Sequence, residues 1–137
     1  MPPAQALIIV PTYNEKDNVS SISRAVLDVL PEAHILFVDD HSPDGTGDAL
    51  DELAMRDERI RVRHRSGKLG LGTAYLAGFR DALEASYPYI IEMDADFSHD
   101  PKYLPEMLSR ARRGADGVVG SRYVSGGGTA HWGVLRR

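Results

Sequence analysis

Apolar and polar positions fall along this chain in short blocks with two periods. Ala6-Leu7-Ile8-Ile9-Val10 is an all-apolar run stopped by Pro11, the pattern of a strand buried on both faces. Val19, Ile22, Val26, Val29 and Leu30 then recur at helical spacing until Pro31 closes the element. His34 to Val38 predicts a second buried strand, and Asp48 to Met55, with Leu50, Leu53 and Ala54 on one side, a short helix. Ile60 to Val62 is a weak third strand, and the Ala-rich stretch 73–85 is helical despite Gly78. Tyr89 to Met93 is a fourth strand, Tyr103, Leu104, Met107, Leu108 and Ala111 mark a helix, and Val118-Val119 is a fifth strand. Regular structure is expected to stop at Gly126-Gly127-Gly128.

Strands alternating with helices predict right-handed crossovers and a mostly parallel sheet with helices on both faces. In such a sheet the ligand sits outside the carboxyl ends of the strands, where the strand order reverses. The unusual polar clusters of this chain fall at those ends: Pro11 to Glu15, Asp39 to Thr46, and Asp94 to His99.

Composition narrows the setting. The 137 residues make one domain, with 42% apolar and 26% charged residues and no cysteine, so thiolate chemistry and disulfides are excluded. No apolar run approaches the ~18–20 residues of a membrane span, and residues 1–10 lack a signal-peptide pattern, so a cytosolic setting is expected. The net charge of −4 is uneven: residues 1–101 carry 9 Lys/Arg against 18 Asp/Glu, residues 102–137 carry 7 against 2. An acidic body argues against nucleic-acid binding, which runs on phosphate neutralisation. The basic end suits an anionic substrate or a membrane surface, and equally a solvated charged face.

Each cluster supports a chemical and a structural reading. Asp94 and Asp96, two apart after a strand, aim two carboxylates at one point, where Mg²⁺ or Mn²⁺ would keep other positions for water and phosphate. The alternative is loop acids beside a helix that starts at Asp100-Pro101. Tyr13 offers a face for a base and Glu15 an acceptor for base or ribose hydroxyls, unless Asn14 simply caps the next helix. Asp39 and Asp40 repel each other at a buried strand end unless something pairs them, and a base N–H is one partner. Ser42-Pro43-Asp44-Gly45 reads as a structural turn. Gly67 to Thr73 is neither a dinucleotide fingerprint nor a P-loop, since Tyr75 stands where a third glycine is needed and no Gly-Lys-Ser/Thr ends it. It is either a glycine loop bringing Lys68 to a diphosphate or a surface turn capped by Thr73. Arg122 could pair with the aspartates or clamp a phosphate, and the glycines before Trp132 and Arg136 could hinge a lid. His99, the nearest candidate for a general base, is read instead as structural or as a support behind the site's acids.

Taken in order, Pro11-Thr12-Tyr13-Asn14-Glu15, Val38-Asp39-Asp40 with Ser42 to Thr46, Gly70-Leu71-Gly72, Met93-Asp94-Ala95-Asp96-Phe97-Ser98-His99, Gly120-Ser121-Arg122-Tyr123 and the Gly126 to Arg136 tail resemble the family 2 glycosyltransferases of GT-A fold. Within them they resemble the dolichol-phosphate (polyprenol-phosphate) mannose synthases. The resemblance implies a Rossmann-like α/β fold, with a nucleotide-sugar-binding core over residues 1–125 and the start of an acceptor-side segment over 126–137. It implies transfer of mannose from GDP-mannose to a polyprenyl (dolichyl) phosphate, with inversion, at the cytoplasmic face of a membrane. Pro11, Tyr13, Glu15, Asp39, Lys68, Asp94 and Ala95 would hold the nucleotide. Asp94 and Asp96 would bind Mg²⁺ or Mn²⁺, and Asp96, Arg122 and Arg136 would serve the reaction. Ser98 stands where some members carry a metal-contacting Gln. Members usually run past 200 residues, so an incomplete domain is expected, completed by a further C-terminal segment or a membrane-anchoring partner. Two other readings compete: a nucleotide-sugar-binding fragment without catalysis, and a transferase using another donor such as UDP-glucose. A receiver-type signalling domain fits poorly, because the only Lys after residue 68 is Lys102, placed in a helix.

Overall fold

A computed structural model describes residues 6–67, 70–113, 117–120 and 132–136, with backbone alone for 71, 117–120 and 132–136. The strands are β1 (Ala6–Thr12), β2 (His34–Asp39), β3 (Ile60–His64), β4 (Tyr89–Glu92), β5 (Gly117–Gly120) and β6 (Trp132–Arg136). The helices are α1 (Val19–Val29), α2 (Thr46–Arg56), α3 (Leu71–Glu84) and α4 (Leu104–Arg112), the last entered through a 3-10 turn at Pro101–Tyr103. They build one open sheet in the order β3-β2-β1-β4-β6-β5. β3, β2, β1 and β4 run parallel, and β6 lies antiparallel between β4 and β5.

Two expectations need correction. β1 does not stop at Pro11; its pairing with β2 carries it on to Thr12, opposite Asp39. Regular structure does not stop at Gly126 either, because Trp132–Arg136 is a strand of the sheet. Its apolar members Val134 and Leu135 sit in register with Ile91 and Ile90 of β4. The sequence reading took Trp132 and Arg136 for part of a lid; the structure places them in this strand.

Alternation along the strands divides the core. Ile8, Val10, Ile35, Phe37, Ile91 and Met93 face α1, α2 and α4. Leu7, Ile9, Leu36, Val38 and Ile90 face α3. Both strand faces are thus covered, which is why these strands read as continuous apolar runs. The chain leaves β1 towards β2 and β3, then returns to place β4 on the other flank of β1. The crevice between the carboxyl ends of β1 and β4 is therefore the switch point where such sheets hold ligands.

Gly78 explains itself here. A Cβ at that position would lie 2.5 Å from Cγ2 of Ile9 and 3.0 Å from its Cδ1, and Ile9 is fully buried in β1. α3 sits this close to the sheet only because residue 78 has no side chain. Gly78→Ala should gain about 1 kcal/mol of helix propensity and lose about 1–3 kcal/mol to overpacking against a stiff β-branched neighbour. We expect a net loss of up to about 2 kcal/mol, read as a lower urea midpoint; a raised midpoint would show that the helix can lift without cost.

Candidate functional site

Three loops meet above the carboxyl ends of β1, β2 and β4. The loop after β1 is stapled to the loop after β2. The Asn14 N–H donates to Ser42 Oγ and the Glu15 N–H to Thr46 Oγ1, each at 3.0 Å, and the Lys16 N–H to Asp44 Oδ2 at 3.3 Å. Asp44 also accepts from the Thr46 N–H at 2.9 Å and from the Thr46 hydroxyl. The Ser42 to Gly45 turn is thus structural, as its composition predicts. Asn14 is not a helix cap: α1 begins at Val19, behind Asn18, which donates from Nδ2 to Glu15 Oε2 at 2.7 Å. Asn14, His41 and Phe97 all have positive φ, at 55°, 56° and 63°. Each of the three loops therefore turns on a non-glycine residue in the left-handed region, a cost that tends to be kept at functional sites.

The adjacent carboxylates after β2 find partners inside the protein. Asp39 is buried and accepts from Thr12 Oγ1 at 2.8 Å, Ser42 Oγ at 2.6 Å and the Ser42 N–H at 3.1 Å. Asp40 takes a two-pronged bond from Arg65, Nε to Oδ1 at 2.6 Å and Nη2 to Oδ2 at 2.9 Å. Arg65 reaches on to Thr73 Oγ1 at 3.0 Å and the Gly70 carbonyl at 3.2 Å. The expected repulsion between the two acids is thus relieved inside the protein. Burial forces each acid to be satisfied by the fold itself, and Asp40, not Asp39, lines the cleft.

After β4, Asp94 and Asp96 project into that cleft. Asp94 Oδ1 accepts from the Tyr75 hydroxyl of α3 at 2.9 Å, and the Asp94 N–H donates to Nδ1 of buried His99 at 3.0 Å, the structural role expected for His99. Ser98 donates its N–H to Asp96 Oδ1 at 2.9 Å. The Ser98 hydroxyl, then this N–H, hold the Asp96 carboxyl below its ordinary range. Glu92, one alternation back, is raised by burial and by the neighbouring Asp94 charge. The Tyr75 phenol is pushed far up by burial and by Asp94. Asp100 caps the following turn by accepting from the Lys102 N–H at 3.0 Å, so the predicted helix start at Asp100-Pro101 coexists with the carboxylate pair.

The cleft is open, about 200 Å³ in volume. Pro11, Thr12, Tyr13 and Glu15 form one wall, Asp94, Ala95 and Asp96 a second, and Asp40, Gly70 and Ala74 the third. The structure thus brings together Pro11, Tyr13, Glu15, Asp94, Ala95 and Asp96. Lys68 and Arg122 lie outside the described residues. Arg136 pairs with Tyr89, so its backbone stands at the other end of β4 from the carboxylates. Thr73 is not the helix cap, since α3 starts at Leu71 and the Thr73 hydroxyl donates back to the Gly70 carbonyl at 2.9 Å. The roles of Arg65, on Asp40, and of Tyr75, on Asp94, carry no local signal in the sequence, because each contact depends on packing between separate elements.

Among the described residues no three or more His, Asp and Glu side chains gather as a metal cage. Two cleft-facing carboxylates instead fit a hard ion that leaves its other positions to diphosphate oxygens and water.

The chain belongs to Glycosyl transferase family 2, whose family model matches residues 7–137. It is 50% identical over 132 residues to the polyprenol monophosphomannose synthase of Mycolicibacterium smegmatis, covering 96% of this chain and 50% of that one. It is 48% identical over 133 residues to the undecaprenyl-phosphate mannosyltransferase of Micrococcus luteus, covering 97% and 54%. The chain therefore spans about half the length of these curated relatives. Among solved structures, a mannosyltransferase from Pyrobaculum calidifontis in complex with GDP-Man and Mn²⁺ superposes with a TM-score of 0.53 at 25% identity, covering 67% of this chain and 27% of that one. Glucosyl-3-phosphoglycerate synthase from Mycobacterium tuberculosis, with Mn²⁺, UDP and phosphoglyceric acid, shares the fold at a TM-score of 0.61 and 18% identity, over 82% and 40% of the two chains.

Proposed function

We propose that this chain is the donor-binding part of an inverting transferase that moves mannose from GDP-mannose to a polyprenyl phosphate. The observation that carries the reading is the cleft itself: Tyr13 and Glu15 share it with Asp94 and Asp96 at the switch point. The identity of about half to two polyprenyl-phosphate mannosyltransferases supports the sugar and the acceptor. In this reading Tyr13 stacks on the base, Pro11 and Ala95 shape the wall, and Glu15 accepts from ribose or base. Asp39, steadied by the Thr12 and Ser42 hydroxyls, accepts from a base N–H, and Lys68 approaches the diphosphate.

Asp94 and Asp96 would hold Mg²⁺ or Mn²⁺, which supplies charge to stabilise the departing nucleotide diphosphate. Inversion needs the acceptor oxygen in line with the leaving group. An acceptor phosphate is already anionic near neutrality, so no side chain has to remove a proton from it. Arg122 is assigned to the diphosphate and Arg136 to the acceptor phosphate on the resemblance alone. The lipid acceptor is met at a cytoplasmic membrane face in this reading; among the described residues no helix is long and apolar enough to cross a membrane.

Calorimetric titration of GDP-mannose against UDP-glucose, each with Mn²⁺, tests the donor. Tighter binding of GDP-mannose is expected; preference for UDP-glucose would move the chain to another donor within the family.

A further inference from the structure

Asp94 and Asp96 enter the cleft with different freedoms, and the difference comes from α3. A carboxylate can grip a cation with one oxygen or with two. Ca²⁺, with its 6–8 ligands and longer bonds, readily accepts the two-oxygen grip, whereas Mg²⁺ and ions of similar size demand near-octahedral, one-oxygen ligation. In this structure Asp94 Oδ1 is occupied by the Tyr75 hydroxyl at 2.9 Å, and the backbone N–H of the same residue is tied to His99 at 3.0 Å. The carboxylate is thus held by Tyr75 and its backbone by His99, and among the described residues Oδ2 is the carboxylate oxygen left without a protein donor.

We propose that Tyr75 is a positioning residue that restricts Asp94 to one-oxygen ligation and so biases the site towards small octahedral cations over Ca²⁺. The inference rests on the metal reading given under Proposed function and deepens it. Tyr75 suits the task because it comes from a different element. It stands on α3 next to Ala74, which is buried against β1 and β2, so the hydroxyl is fixed by core packing rather than by the loop it restrains. The sequence shows the same residue as the one that breaks the dinucleotide fingerprint at position 75.

The test is Tyr75→Phe, which removes the donor and keeps the ring. GDP affinity is measured by calorimetry across titrations of Mn²⁺ and of Ca²⁺, with the electron paramagnetic resonance signal of free Mn²⁺ as a direct count of bound metal. Loss of a partner behind a metal ligand weakens binding by roughly 10–100-fold. We therefore expect the Mn²⁺ half-saturation point to rise by about tenfold, while the Ca²⁺ half-saturation point stays or falls. A second variant, Tyr75→Phe with Asp94→Asn, should add nothing to Asp94→Asn alone, because Tyr75 acts through that carboxylate. Equal shifts for both ions, or none, overturn the inference while leaving the metal site intact. GDP binding that is the same in EDTA and in Mn²⁺ for the unaltered chain overturns the metal reading itself. The thermal midpoint of Tyr75→Phe, compared with the unaltered chain, separates a change at the site from a loss of fold.

Discussion

Asp96→Asn is expected to weaken GDP binding in Mn²⁺ by about 100-fold or more, and EDTA is expected to weaken the unaltered chain by a similar factor. The estimate starts from partners that stand behind metal ligands, whose loss alone costs roughly 10–100-fold; loss of a direct charged ligand should cost at least as much. Asparagine keeps the shape of the side chain, and its carbonyl oxygen can still accept from the Ser98 N–H, so the loop after β4 should hold its turn. Asp96 is exposed, and no buried partner is left unsatisfied by the change. The thermal midpoint should therefore stay where it is while affinity collapses. That split separates ligand loss from unfolding. The measurement is calorimetry with GDP in Mn²⁺ and in EDTA for both chains. If the unaltered chain binds GDP equally in both, the paired carboxylates hold no metal, and they are acids of a loop and nothing more.

Much of the fold was legible because both of its periods are local. The all-apolar runs at Ala6 to Val10 and His34 to Val38 announce strands covered on both faces, and the cores on either side of the sheet show why. The cleft was legible too, since topology alone sends Pro11 to Glu15 and Asp94 to Asp96 to the same end of neighbouring strands. What stayed hidden depends on residues far apart in sequence. Asp39 and Asp40 announced that something must neutralise them, but Thr12, Ser42 and Arg65 gave no local sign that they would do so. Gly78 looked like a flaw in a helix until Ile9 was found against it. Trp132–Arg136 carries too few apolar residues after a glycine run to declare itself a strand; β4 and β5 supply its partners.

The largest stability effect is expected at Arg65. Its side chain and that of Asp40 are 9% and 8% exposed, so the pair is nearly out of water. Arg65→Met would leave Asp40 buried without its counter-charge, and would also strip a donor from the Gly70 carbonyl and from Thr73 Oγ1. Breaking one side of a buried pair costs about 3–5 kcal/mol, a large share of the ~5–15 kcal/mol that holds a domain together. Arg65→Lys should fall between, because one ammonium cannot reproduce the two parallel bonds of the guanidinium. The pair Arg65→Met with Asp40→Leu should recover most of the stability, since apolar replacement of a whole buried ion pair is often close to neutral. Stability and site should then part company. Asp40 and Gly70 line the cleft, and the double variant no longer ties the start of α3 to the end of β2, so GDP affinity should stay low after the fold has recovered. Urea unfolding midpoints and GDP titrations on all three variants check both halves. An Arg65→Met chain within about 1 kcal/mol of the original would mean that water reaches Asp40 as readily as Arg65 does, and a double variant with full GDP affinity would mean that the third wall of the cleft stands without the ion pair.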